Sequence, residues 1–554
     1  MLIFNFSKNQ MMNTLHKKYG RVNFLRMVSL ACLAITVLGA CKKLDLVPTN
    51  DLTADKVYAN PAGYKQALAK VYGAFALTGN ATTGQQDIPV EIIKDEGNSD
   101  FLRLYWNLQE LTTDEAAWSW QSDAGIQGLH ELSWSSINSI INGLYYRSFF
   151  QITLCNDFIR QSSDDNIAKR GISGTDADDI RKYRAESRFL RAYQYWVLMD
   201  IYGNPPMVTE AIEVGGKDFP KQIQRKDLFT YIESELKAIE NDLAAPKTNE
   251  YGRADRAAAW ALLSRMYLNA EVYTGSPKYT EAIAYCNKIT QAGYTLHNNY
   301  RELTIADNNL NTDEFILTIN YDGTSTQNYG GTTYLMHGPA HVPAEVSGSN
   351  GDWGGLRFTE NFVNLFADKT GNTDSRAQFY RTSQNLEMTE LYVSTDGYSS
   401  TKFRNKTRSG GPAPHQDAAK DFSDIDFPLF RLGETYLIYA EAVLRGGSGG
   451  SLSTALDYIN KLRTRAYNGS TTGNISSTAL TTDFILDERG RELYYEAFRR
   501  TDLIRYNKFT TNAYLWAWKG GVRAGTSVAA KFNLFPLPPT DLSANPNLTQ
   551  NTGY

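Results

Sequence analysis

Cysteine is scarce in this chain: four residues in 554, at Cys32, Cys41, Cys155 and Cys286. Cys155 and Cys286 each sit in an apolar, helix-like pattern. Two such thiols make no disulfide framework and are read as small core residues. No apolar run of eighteen or more residues occurs after the first forty, so no later helix is expected to cross a membrane. Positive charge is not in excess either, with 56 basic against 60 acidic side chains. That balance argues against nucleic acid or an anionic lipid surface held by phosphate electrostatics. Histidine is rare, six in all. Only His337 and His341 have metal-ligand spacing, and Gly338 and Pro339 between them forbid the helix that would aim both at one ion. No phosphate-cradling glycine loop is present. No metal and no cofactor is expected.

Nor is a catalytic constellation. Glu488, Glu492 and Glu496 are spaced to stack on one helical face. Arg489, Arg491, Arg499, Arg500 and Arg505 crowd the same stretch, which points to a structural ion-pair network. A glycosidase needs two carboxylates facing each other across a sugar, and no such pair stands out. Gly446-Gly-Ser448-Gly-Gly450 matches the nucleophile-elbow pattern but follows a helix instead of a strand, and it reads as a turn.

The N-terminal stretch is informative. A basic region (Lys17, Lys18, Arg21, Arg26) precedes an apolar run from Met27 to Ala40, too short to span a bilayer and ending in small residues. The run closes on Leu38-Gly39-Ala40-Cys41, the pattern of a bacterial lipoprotein signal. Residues 1–40 are expected to be removed and the Cys41 thiol to carry a diacylglycerol. At about 0.8 kcal/mol per buried CH2, several acyl chains hold a protein in outer-membrane lipid almost permanently. The competing reading is a buried cysteine in an ordinary signal peptide. Cleavage there removes five basic and no acidic residues and leaves 514 residues with 51 basic against 60 acidic side chains, a net charge of −9.

Paired helices dominate the body. From Arg181 to Tyr202, Ala185, Phe189, Ala192, Trp196 and Met199 recur at helical spacing, with Arg184, Arg188 and Arg191 on another face. Gly203 and Pro205-Pro206 stop that helix. A second helix is predicted around Asp227–Leu243. The next pair uses Trp260, Leu263, Tyr267 and Ala270, turns at Gly275–Pro277 and returns through Ala282, Tyr285, Cys286 and Ile289. A further pair uses Leu432, Tyr436, Tyr439 and Val443, then Leu452, Leu456, Ile459 and Leu462 after the Gly446–Gly450 turn. This texture resembles degenerate tetratricopeptide-type repeats. Residues 296–430 differ: a strand-like run at Phe315–Tyr321 leads into a stretch studded with Gly323, Gly330, Gly331, Gly338, Gly348, Gly351, Gly354 and Gly355. Thr78–Gln127 is similarly irregular. Long excursions of this kind usually carry function.

Several blocks together resemble the SusD/RagB family of Bacteroidetes outer-membrane lipoproteins. They are Arg184-Ala-Glu-Ser-Arg188 through Tyr202-Gly-Asn-Pro-Pro206; Arg431-Leu-Gly-Glu434 through Ala440-Glu441-Ala; Ile459-Asn-Lys-Leu-Arg463-Thr-Arg465; Glu488-Arg489-Gly-Arg-Glu492 through Arg505; and Phe535-Pro536-Leu-Pro538 through Gly553-Tyr554. They occur in the family's order along essentially the whole mature chain. The resemblance implies a mainly α, SusD-like fold with degenerate tetratricopeptide-type helix pairs, long irregular loops and a few short strands. It divides the chain into a signal peptide (1–40), an N-terminal helix-pair region (41–295) and a C-terminal region with the long central loops (296–554). It also implies a lipid-anchored, cell-surface protein of the outer membrane, not an enzyme. Such a protein binds a polymer fragment, here read as a glycan, and delivers it to a SusC-type TonB-dependent transporter. An oligopeptide cargo and a tethered glycoside hydrolase are the competing readings.

A sugar ring has an apolar face that flat aromatics bury and a polar rim that Asp, Asn or Arg side chains bind. Trp118 and Trp120 follow Asp114-Glu115 and alternate with Ala117 and Ser119, so both can project from one side of an extended segment. In the family, the segment after that acidic pair and the central loops are where ligand aromatics sit. The expected ligand-binding residues are therefore Asp114, Trp118 and Trp120, then Tyr334 and Trp353. The alternative for each tryptophan is a plug between helices.

Overall fold

Six of the main helices start where a short polar side chain satisfies free amides of the first turn. A computed structural model describes residues 53–80, 84–212 and 219–554; Cys41 and the leader before it lie outside the described residues. Residues Val57–Tyr554 form one unit. Its principal helices are α1 (Pro61–Gly73), α2 (Phe101–Glu110), α3 (Ser139–Gln161), α4 (Gly174–Ile201), α5 (Arg225–Ala238), α6 (Arg256–Leu268), α7 (Tyr279–Thr290), α8 (Leu432–Leu444), α9 (Leu452–Ala466), α10 (Thr482–Leu493) and α11 (Arg499–Arg505). Asn60, Asp100, Asn138, Asp255, Ser451 and Thr481 accept from the first-turn amides of α1, α2, α3, α6, α9 and α10.

Consecutive helices pack side by side: α3 on α4, α4 on α5, α6 on α7 and α8 on α9, with α7 also against α8. The helix pairs and the mainly α class are as the periodicity predicts. Six short strands are β1 (Ala117–Trp118), β2 (Phe315–Ile319), β3 (Leu356–Arg357), β4 (Phe379–Tyr380), β5 (Ser399–Ser400) and β6 (Phe427–Arg431). They pair antiparallel as β1–β3, β2–β6 and β4–β5. The β2–β6 pairing closes the central excursion and returns the chain to α8, beside α7. Arg265 on α6 then holds both carboxylate oxygens of Glu434 on α8, at 2.7 Å each.

Two expectations need correcting. The stretch 78–127 is not irregular throughout, because Phe101–Glu110 is a helix with every residue buried. Phe101, Leu104, Tyr105 and Leu108 recur at helical spacing, and the polar residues of the other face, Arg103, Asn107 and Glu110, are buried as well. Glu496 is not on a helical face with Glu488 and Glu492, since α10 ends at Leu493. The three glutamates do sit in an ion-pair network, but of the five arginines in the stretch only Arg491 reaches one of them, Glu488; Arg489 and Arg505 pair with Asp502, and Arg499 with Asp114. Arg431 donates to Glu496 at 2.8 Å, Glu492 at 2.7 Å and Glu314 at 3.0 Å, while Arg376 joins Asp374 to Glu488. Burial would raise the Glu488 carboxyl, but Arg376, Arg491 and Arg463 outweigh it and hold it below the usual carboxylate range. All three glutamates are committed to these cations.

The C-terminal block closes the end of α4. The amide of Phe535 donates to Ile201 O at 2.9 Å, and the Asn551 side chain donates to Tyr202 O at 2.8 Å and Phe535 O at 2.7 Å. Gly203, at φ 77°, makes the left-handed turn that lets the chain leave the helix there.

Candidate functional site

The two irregular excursions meet through β1 and β3. Ala117 pairs with Arg357 and Trp118 with Leu356. Ser119 extends the zipper, its amide donating to Gly355 O at 3.0 Å and its hydroxyl to Gly354 O at 2.6 Å. A Cβ at Gly355 would lie 2.4 Å from the Trp118 ring, so only glycine lets that indole rest on the opposing backbone. The Trp118 and Trp120 rings are 4.8 Å apart and edge-on, confirming that alternation puts them on one side.

From Trp120 a row of rings runs inward and back to the surface. Trp118 lies 5.5 Å from Tyr334. The Arg103 guanidinium sits over Tyr334 at 4.4 Å and reaches Trp353 at 5.9 Å. Trp353 stacks on His337 at 4.9 Å with the planes 5° apart, and Tyr329 lies 6.3 Å from it. The ends of the row face water: Trp120 is 37% and Tyr329 41% exposed, and Trp353 is half-buried. Trp118 and Tyr334 are each 1% exposed and form the floor. Tyr334 donates to Asn107 at 2.8 Å, and Trp118 donates to Asp123 at 3.2 Å.

Asp100 sets the geometry from below. One of its oxygens accepts the Arg103 amide at 2.9 Å and the Gly331 amide at 2.8 Å, so it caps both α2 and the helix Gly331–His337 that carries Tyr334. Burial pushes its carboxyl up to about 6. Polar groups edge the rings. Arg103 donates to Tyr329 O at 2.9 Å and lies 4.0 Å from the largely exposed Asp95. Asp123 is half-buried, and burial raises its carboxyl. Exposed flat rings with a cation and two carboxylates beside them can cover the apolar face of a ring-shaped ligand and bind its hydroxyls.

Four of the expected residues, Trp118, Trp120, Tyr334 and Trp353, come together here. Asp114 does not join their surface: it is fully buried and paired with Arg499. Arg103, Asp123 and Tyr329 were not expected. Tyr329 directly precedes Gly330-Gly331, which offered a signal; Arg103 offered only its place on the polar face of the 101–110 helix. His337 turns both ring nitrogens toward carbonyl oxygens, Gly351 at 2.6 Å and Asp421 at 2.9 Å, and His341 reaches Ser394.

Residues 389–554 match the family profile described as "SusD family", and residues 92–268 the one described as "Starch-binding associating with outer membrane". The chain is 34% identical to the starch-binding protein SusD of Bacteroides thetaiotaomicron, over 95% of this chain and 97% of that protein. It is 26% identical to SusD-like protein P2 of Formosa agariphila, over 70% and 77%. Among solved structures, a SusD superfamily protein from Parabacteroides distasonis superposes with a TM-score of 0.68 at 22% identity, covering 91% of this chain and all of that one. Surface glycan-binding protein A from Bacteroides thetaiotaomicron, in complex with laminarihexaose, gives 0.67 at 18% identity, over 88% and 99%. These two structures establish likeness of fold.

Proposed function

The chain belongs to the SusD family, and from that premise we propose that it is a non-enzymatic surface lipoprotein that captures an α-glucan of the starch type. The single observation that carries this reading is the row of partly exposed rings, Trp120, Trp353 and Tyr329, backed by Trp118, Tyr334 and Arg103. It lies on a chain 34% identical to a protein named for starch binding. Sugar faces stack on the exposed rings, while Asp95 and Asp123 bind the rim hydroxyls. The buried floor orders the rings before ligand arrives, which lowers the entropy cost of binding. In this reading Cys41 carries the lipid that holds the protein at the outer membrane, and the captured glucan passes to a SusC-type TonB-dependent transporter.

Native gels cast with amylopectin, laminarin or no polysaccharide test the cargo. Retardation by amylopectin without release of reducing ends is expected. Retardation only by laminarin would move the cargo to a β-glucan, and release of ends would make the protein an enzyme. Gentle extraction from the native membrane should bring down a TonB-dependent transporter; its repeated absence would remove that partner.

A further inference from the structure

Two buried carboxyls stand behind the ring platform without a cation of their own. Glu110 ends α2 and Glu115 lies just before β1; neither is more than 1% exposed. Glu110 accepts the amide of Phe498 at 2.9 Å, and Glu115 accepts the amide of Tyr495. These amides bracket a turn in which Tyr495 and Ala497 are both left-handed, at φ 61° and 67°. Side chains other than glycine rarely adopt that conformation unless the surroundings impose it. The turn is joined to the platform floor through Trp106. Its indole N–H donates to Tyr495 O at 3.2 Å, and its ring meets Tyr495 at 4.9 Å and Tyr334 at 5.6 Å.

The second oxygen of Glu110, Oε2, is buried and meets no donor group. The Glu115 carboxyl is the neighbouring acidic group. Two carboxylates side by side in a buried site repel each other, whereas one proton between them makes a hydrogen bond. The other charged groups facing the pair are Arg499 and Asp114, with the Tyr495 phenol also close to Glu115. Arg499 is already committed to Asp114 through two 2.8 Å hydrogen bonds, so it does not neutralise a further carboxylate.

We infer that Glu110 and Glu115 are positioning residues sharing one proton, which fixes the 495–498 turn and, through Trp106 and Tyr334, the floor of the binding platform. The consequence for binding rests on the glycan reading; the shared proton does not. Burial pushes the Glu110 carboxyl up to about 8 and Glu115 in the same direction. The pair therefore keeps a proton at neutral pH, and the last proton leaves only in alkaline solution, above the value for Glu110. Two adjacent anions then remain beneath a turn that already holds two left-handed residues.

The test uses the full chain labelled with 5-fluorotryptophan, with Trp106→Phe assigning one of the nine tryptophan signals. Without any glycan, the Trp106 fluorine resonance should be steady at neutral pH and move in alkaline solution, at about pH 8 and above. In Glu110→Gln it should not move, because the amide donates permanently to Glu115 while its carbonyl still accepts from Phe498. Glu115→Gln makes the same prediction and serves if the first variant does not fold. A merely structural role would change melting temperatures and leave the pH profile in place. A flat wild-type resonance, or equal titration in wild type and both variants, overturns the inference. Amylopectin affinity should fall up to about tenfold per pH unit above that transition in wild type and not in Glu110→Gln. A normal fluorine titration with no amylopectin binding at any pH supports the proton and defeats the starch reading alone.

Discussion

Arg499 grips both carboxylate oxygens of Asp114, each at 2.8 Å, and Tyr514 donates to one of them at 2.7 Å. The Asp114 carbonyl also accepts the Thr359 hydroxyl at 2.5 Å. One residue thereby joins α11, the segment entering β1 and the segment leaving β3. Its side chain is fixed between buried neighbours and supports the platform from behind.

Asp114→Asn leaves the Arg499 cation buried without its partner, which typically costs about 3–5 kcal/mol. Urea denaturation should show a loss of that size, with amylopectin affinity nearly unchanged in the folded protein. Unchanged stability with lost affinity would make Asp114 a ligand contact.

Trp120 and Trp118 should respond in opposite ways. Trp120→Ala removes an exposed ring; stacking beyond area burial is worth about 0.5–1.5 kcal/mol, so affinity should drop roughly three- to tenfold or more while the melt barely moves. Trp118→Ala empties a buried site and should cost about 3–5 kcal/mol of stability. Paired thermal melts and binding titrations on the two variants check this.

Gly355→Ala drives a methyl into the Trp118 ring at 2.4 Å. Overpacking of this kind costs about 1–3 kcal/mol. Because the ring it displaces touches both Trp120 and Tyr334, affinity should fall along with the melting temperature, unlike the Trp120 variant.

Asp426 supplies a pH dependence of determinate sign. It is buried, accepting the Tyr321 amide at 2.9 Å and the Tyr251 hydroxyl at 2.7 Å, and burial pushes its carboxyl up to about 7. Between about pH 4 and 7 the folded chain holds a proton that the unfolded chain releases, so its contribution to stability falls as pH rises, by up to about 1.4 kcal/mol per unit. Asp426→Asn removes that slope. The stability difference between wild type and variant, from urea melts at a series of pH values, should shift steadily in the variant's favour as pH increases.

Cys41→Ala should abolish membrane attachment and leave the fold unchanged. Fractionation would show the protein soluble or retained as an inner-membrane precursor. Variant protein still in the outer membrane after a salt wash would refute the lipid tether.

The helix pairs were legible because α4, α6, α7, α8 and α9 carry apolar positions at helical spacing and polar stops after them. Helix α2 carries the same spacing at Phe101, Leu104, Tyr105 and Leu108, but that its polar residues are buried with the rest is not written in the spacing. Trp118 and Trp120 were legible as a pair sharing one side of a strand, but local pattern has no term for depth. The buried ring lies between Tyr334 and Gly355, and the exposed one lies beyond the end of β1.

Sequence by itself determined the helix pairs, the long central excursion and the family, because these follow from short-range spacing and from ordered motif blocks. Tertiary structure alone decided which aromatic faces water, that Asp114 belongs to Arg499, and that Arg103 stands over Tyr334. Those outcomes depend on contacts between residues hundreds of positions apart. Burial and pairing at such range come from how the excursions fold onto the helices, and no local periodicity encodes them.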